Sequence, residues 1–159
     1  MRNGGEPTTG THAGGGTYEV VCHGTTDGAV DGGRLAMEKC LSVSPQINVV
    51  FTANETSGIG AVQALKTAGT KDALVTSIDG SCRGVKTVRS GDFGAVAQQY
   101  PFRMGELGVK AVLSYLHDGT KPKPSLGREF VSTGVELIAD KPTPGVKSIA
   151  ADEAERVCW

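Results

Sequence analysis

A chain of 159 residues with sixteen basic and seventeen acidic side chains, and so a net charge of -1, has material for one core rather than two. It carries no block of like charge, which argues against nucleic acid or an anionic membrane surface as a partner. No apolar run approaches the roughly 20 residues of a spanning helix, and Met1 to Gly16 is polar throughout, so any export signal is expected upstream of these residues.

Met1 to Thr17 is built of Gly, Thr and Pro with two charges, and buries too little apolar surface to offset its ordering entropy. A disordered or loosely packed segment is expected over 1–17, with His12 solvated. Order begins at Tyr18, where Tyr18, Val20 and Val21 start a strand that leads through Cys22 and His23 into the polar loop Gly24 to Asp27. A helix follows from about Val30 to Leu41, with Leu35, Met37 and Leu41 as apolar positions and Pro45 beyond its end. This reads as a fourth strand-and-helix unit of the same kind as those that follow it, with His23 and Asp27 at the strand end as candidate ligand contacts or as ordinary turn residues.

Three further apolar runs each end on a polar side chain: Ile47 to Ala53 on Asn54, Ala73 to Ile78 on Asp79, and Gly94 to Gln98 on Gln99. Helix-like spacing separates them, with Ile59, Val62 and Leu65 between the first pair and Val85 and Val88 between the second. Right-handed crossovers make such strands parallel and bring their C-terminal ends to one edge, where ligands of open α/β sheets bind. Two amides and a carboxylate offer mixed donors and acceptors, which suits a neutral polyhydroxylated ligand better than a phosphate or a peptide. Asn54 and Asp79 also have an ordinary reading as helix caps. A row of three such side chains at successive strand ends favours a sugar site.

Past Gln99, Pro101 opens a helix of about four turns with Met104, Leu107, Val109, Val112, Leu113 and Leu116, stopped by Asp118 and Gly119. Lys121 to Ser125 is a Pro-rich, extended connector. Phe130 to Ile138 reads as another strand, and a short helical turn is expected around Asp152 to Val157. The organisation is therefore 18–100 as an α/β ligand-binding lobe, 101–120 as a long helix, and 121–159 as connector, strand and tail.

Cys22, Cys40, Cys82 and Cys158 lack the spacing of a zinc site, and no cofactor or metal is expected. An even count at wide spacing fits disulfides in an exported protein, with buried free thiols as the ordinary alternative. Cys82 with Cys158 is the favoured pair, since it ties the tail to the loop after Asp79. Cys22 with Cys40 would close a short loop worth about 3 kcal/mol in the chain-entropy model, but the end of a crossover helix normally lies far from the end of its strand. No nucleophile elbow, metal-protease motif, phosphate loop or dinucleotide fingerprint is present, and Asp79 has no evident nucleophile or acid partner. A non-enzymatic role is expected.

Pro45 to Glu55, Gly60 to Leu65, Val75 to Gly80 and Ala97 to Gly105 together resemble the C-terminal part of the periplasmic sugar-binding proteins of ABC transporters, of the ribose-binding type. The cysteine positions, the Cys22-His23 strand end, the Ser81-Cys82 step and the Cys158-Trp159 ending resemble the fructose-binding branch more specifically. The resemblance covers Tyr18 to Trp159. It implies a partial doubly wound α/β lobe that takes a monosaccharide for a membrane permease in the periplasm, with Asn54, Asp79 and Gln99 bonded to the sugar hydroxyls. The family often has an aromatic residue in the loop where Gly28 stands. It also implies a first lobe, absent from these residues, against which the helix Phe102 to Leu116 would pack. A truncated form that covers its helix face and sheet edge by forming a homodimer is therefore expected. The same lobe serves lactose-repressor-type regulators as an effector domain, which is the alternative.

Overall fold

The computed structural model describes residues 8–11 and 17–159 of the chain. Its main sheet has four strands: β3 (Val49–Phe51), β4 (Leu74–Asp79), β5 (Ala95–Gln98) and β6 (Glu136–Ile138), in that spatial order. β3, β4 and β5 are parallel, with Phe51 opposite Thr76 and Asp79 opposite Gln98, and β6 closes the other edge antiparallel to β5. The helices α2 (Glu55–Thr67) and α3 (Cys82–Arg89) make the two crossovers. The strand ends of β4 and β5 thus meet at one edge, as the alternation of apolar runs and helical spacing implies.

The core lies where α2 and α3 cover the sheet. Phe93, Val75, Val85, Val88, Val96 and Ile138 are fully or almost fully buried. The short helix α5 (Ala151–Ala154) packs on α3 through buried Ala151 and Ala154. Arg89 reinforces that contact from outside, pairing with Asp152 and, at 2.6 Å, with Glu155. The helix α1 (Val30–Val43) lies not on the sheet but against α2. Glycines allow this: a Cβ on Gly33 would land on the Ser57 carbonyl, and one on Gly60 on the Val30 carbonyl.

Four expectations need correction. The strand begun at Tyr18 does not join the parallel sheet as a fourth unit. It is β2 (Thr17–Val20), paired antiparallel with β1 (Thr8–Thr11), and period-2 patterning does not say which partner a strand takes. Thr8–Thr11, inside the segment expected to be disordered, is therefore a strand; the remainder of 1–16, with His12, lies outside the described residues. Cys22 and Cys40 are bonded, with their Cα atoms 5.6 Å apart. The crossover geometry invoked against that pair does not apply, because β2 is outside the sheet. Finally, only Glu136–Ile138 of the expected strand Phe130 to Ile138 pairs, and β6 is held further by a bridge from Ile138 to Ile149.

The helix α4 (Pro101–Asp118) begins with Pro101 in its first turn and ends on Gly119 at φ 77°. None of its residues is buried. Phe102 (85% exposed), Val109, Val112, Leu113 and Leu116 form one bare apolar stripe. Its opposite side, with Met104, Leu107 and Ala111, lines a groove of about 480 Å³ closed by Pro122 and Val131. At the other end of the sheet β3 is an edge strand, with Phe51 67% exposed.

The glycine contacts separate two substitutions. Gly60→Ala is expected to cost about 1–3 kcal/mol by forcing α1 off α2. Gly105→Ala in α4, where nothing lies within 4 Å, is expected to stabilise by about 0.5–1 kcal/mol. Urea unfolding of the two variants beside the parent chain checks both signs.

Candidate functional site

The loop after β3 turns directly into α2, and Asn54 caps that helix, its Oδ1 accepting the Ser57 N–H at 3.4 Å. The Asn54 amide also donates to the Gly28 carbonyl at 2.9 Å and to the Thr56 hydroxyl at 2.6 Å. Thr56 bonds the same Gly28 carbonyl, and Thr26 meets Ser57 hydroxyl to hydroxyl at 2.7 Å. The loop before α1 is thereby fastened to the start of α2.

Asp79 ends β4 with φ at 142°, a conformation that costs a non-glycine residue about 1–3 kcal/mol. Its surroundings hold it there. Asp79 Oδ2 accepts the Glu55 N–H at 3.1 Å, and Oδ1 accepts the Gln99 side-chain amide at 3.3 Å. The Asp79 carbonyl accepts the Gln99 N–H at 2.7 Å. Gly80 follows at φ 78°, and a Cβ there would strike Gln98, so the turn requires glycine. Asp79 is not a helix cap; Ser81 caps α3, its hydroxyl accepting the Gly84 N–H at 3.2 Å.

Asp79 and Gln99 are therefore bonded to each other, and Asn54 is one residue from the amide that holds the carboxylate. All three are half-buried. Each carboxylate oxygen of Asp79 keeps a lone pair, and Gln99 keeps acceptor and donor capacity, so the edge offers a mixed set to an incoming ligand. His23 and Asp27 are exposed and lie outside this network, Asp27 in a turn at φ 50°. Their loop meets Asn54 through the Gly28 carbonyl.

Two residues of the site are missed by reading strand ends. Glu55, 4% exposed, places its carboxylate under the Asp79 turn: Oε1 accepts the Gly80 and Ser81 N–H groups at 2.8 and 3.1 Å, and Oε2 meets the Ser81 hydroxyl. Gly84 leaves room for that carboxylate, since any side chain there would occupy its place. The only sequence signal is an acid at the first position of a helix that faces a Gly-Ser turn rich in free N–H groups. Trp159 is the second, its indole N–H donating to the Asp79 carbonyl at 3.3 Å. Beside it, the disulfide Cys82–Cys158 is closed with Cα atoms 4.9 Å apart, as favoured from the sequence.

The family model for the periplasmic binding protein domain matches residues 9–121. The chain belongs to that family. Among relatives, the ribose import binding protein of Salmonella typhimurium is 36% identical over 78 residues, which is 49% of this chain and 26% of that protein. Among solved structures, a galactofuranose binding protein superposes with a TM-score of 0.63 at 27% identity, covering 80% of this chain and 39% of that one. The binding protein of an arabinose ABC transporter from a Shewanella species gives 0.59 at 28% identity, covering 70% and 36%. The chain thus spans well under half the length of these proteins.

Burial raises the pKa of Glu55 above its ordinary 4.5, with the neighbouring Asp79 charge adding to the rise and the Ser81 and Gly80 hydrogen bonds opposing it. The folded state then holds this proton more tightly than the unfolded one. Its contribution to stability is complete below pH 4.5 and is lost as pH rises through the raised value. Urea midpoints of the parent chain and Glu55→Gln, followed from pH 4 upward, are expected to change relative to each other over that window, the parent losing stability with rising pH.

Proposed function

We propose that this chain binds a monosaccharide as part of the substrate-binding component of an ABC sugar importer, working in the periplasm with a membrane permease. The observation that carries the reading is the Asn54, Asp79 and Gln99 set on successive parallel strand ends, with Asp79 and Gln99 directly bonded. A carboxylate accepts short bonds from adjacent hydroxyls, while amides both donate and accept, which fixes the orientation of a sugar ring. The names of the relatives, binders of ribose, galactofuranose and arabinose, support the ligand class. The two disulfides favour an oxidising compartment, and so an exported component over the effector lobe of a cytosolic regulator. His23 and Asp27, on the loop before α1, are assigned to the rim of the site. A second copy of the chain is the partner proposed for the bare α4 stripe and the free β3 edge, because an exposed apolar patch of this length invites cover.

Calorimetric titration of the oxidised protein with fructose, ribose, glucose and galactose tests the ligand. One of these sugars is expected to bind, with Asp79→Ala weakening it about 10- to 100-fold, the loss of a charge-assisted bond, and Asn54→Ala weakening it less. No heat with any of the four would remove the proposal for this chain. Sedimentation at tens of micromolar is expected to give a dimer, and a cooperatively melting monomer would remove the second copy.

A further inference from the structure

The closing dipeptide Cys158–Trp159 is attached to the Asp79 turn in several ways. Disulfide Cys82–Cys158 joins it to the first residue of α3. The Cys82 N–H donates to the Trp159 carbonyl at 2.9 Å. The Trp159 indole then reaches back to the Asp79 carbonyl, which also accepts the Gln99 N–H. Below them the fully buried Gln98 amide donates to both the Gly80 and Val157 carbonyls, at 3.4 and 3.2 Å. Turn and tail are joined from above by an indole and from below by an amide.

We propose that Trp159 is a positioning residue for the sugar site, its indole N–H and the Cys82–Cys158 bond together fixing the direction in which Asp79 presents its carboxylate. The sugar role rests on the function proposed above; the effect on Asp79 does not. A carbonyl that accepts two donors is held against rotation of its peptide plane. That plane follows a residue at φ 142°, which has commoner conformations to relax into. Removing one donor frees the backbone at Asp79, and the carboxylate swings away from the Glu55 N–H and the Gln99 amide. Trp159 as a residue is 51% exposed, so its role is not explained by burial in the core.

The chain has one tryptophan, so the indole N–H gives a single resonance. The experiment compares the oxidised parent chain with Trp159→Phe, which keeps a ring and loses the donor, by amide hydrogen exchange and by titration with the sugars named above. In the Phe variant the Gln99 and Glu55 amides are expected to lose protection by about tenfold, the effect of one hydrogen bond, while core amides such as those of Val88 and Val96 keep theirs. Sugar affinity is expected to fall by a similar factor, and the parent's indole resonance to move on addition of sugar. Unchanged Gln99 and Glu55 protection would overturn the proposal, as would an equal loss at the core amides, which would mean general destabilisation. If Gln99 and Glu55 alone lose protection and no sugar binds the parent chain, the control of Asp79 stands and the sugar reading falls.

Discussion

The buried carboxylate of Glu55 is the contact on which the sheet edge depends. It sits at the first turn of α2, accepts two N–H groups of the turn after β4 and meets the capping hydroxyl of α3. Three elements are thereby fixed at one point. The Glu55 backbone completes the arrangement, because its N–H is the donor that orients the Asp79 carboxylate. Removing this side chain would leave the buried Gly80 N–H without a partner, at a cost of about 1–3 kcal/mol, and would free the half-buried Ser81 N–H as well. Burial outweighs these hydrogen bonds for the ionised form, which is why the Glu55 pKa lies above its ordinary value.

Much of this was legible in the sequence, and the limits have physical causes. The alternation of apolar runs and helical spacing from Ile47 to Gln99 located three parallel strands and put Asn54, Asp79 and Gln99 at their ends. Periodicity reports which face a residue takes, not which strand lies beside it, and so Tyr18 to Val20 was assigned to the wrong sheet. The doubt over Cys22 and Cys40 followed from that one error. Glu55 was passed over because an acid beside a strand end looks like a solvated residue until the Gly80-Ser81 turn is folded above it.

The glycines of the helix contact leave no mark in the apolar pattern. Ile59, Val62 and Leu65 mark the apolar side of α2, but the approach of α1 is decided by Gly33 and Gly60, where the absence of a side chain is what matters. Hydropathy patterns have no term for that. The consequence reaches the site, since α1 must lie close to α2 for the loop through Gly28 to meet Asn54.

The network has a bearing on what a ligand must supply. Binding commonly costs affinity through the ordering of side chains, about 0.5–1.5 kcal/mol for each long one immobilised. Here Asn54 is already committed to a helix cap and to the Gly28 carbonyl, and Asp79 and Gln99 already hold each other. The ordering cost is met in folding. What a hydroxyl must displace is the 3.3 Å bond between the Gln99 amide and Asp79, the longest in the set around that carboxylate. A sugar that bridges the two groups would replace one long bond with two shorter ones, one of them charge-assisted, and the gain would come from the exchange rather than from buried area. If the proposed sugar is the ligand, selectivity on this edge would depend on whether adjacent hydroxyls lie on the same side of the ring, which is a matter of sugar stereochemistry.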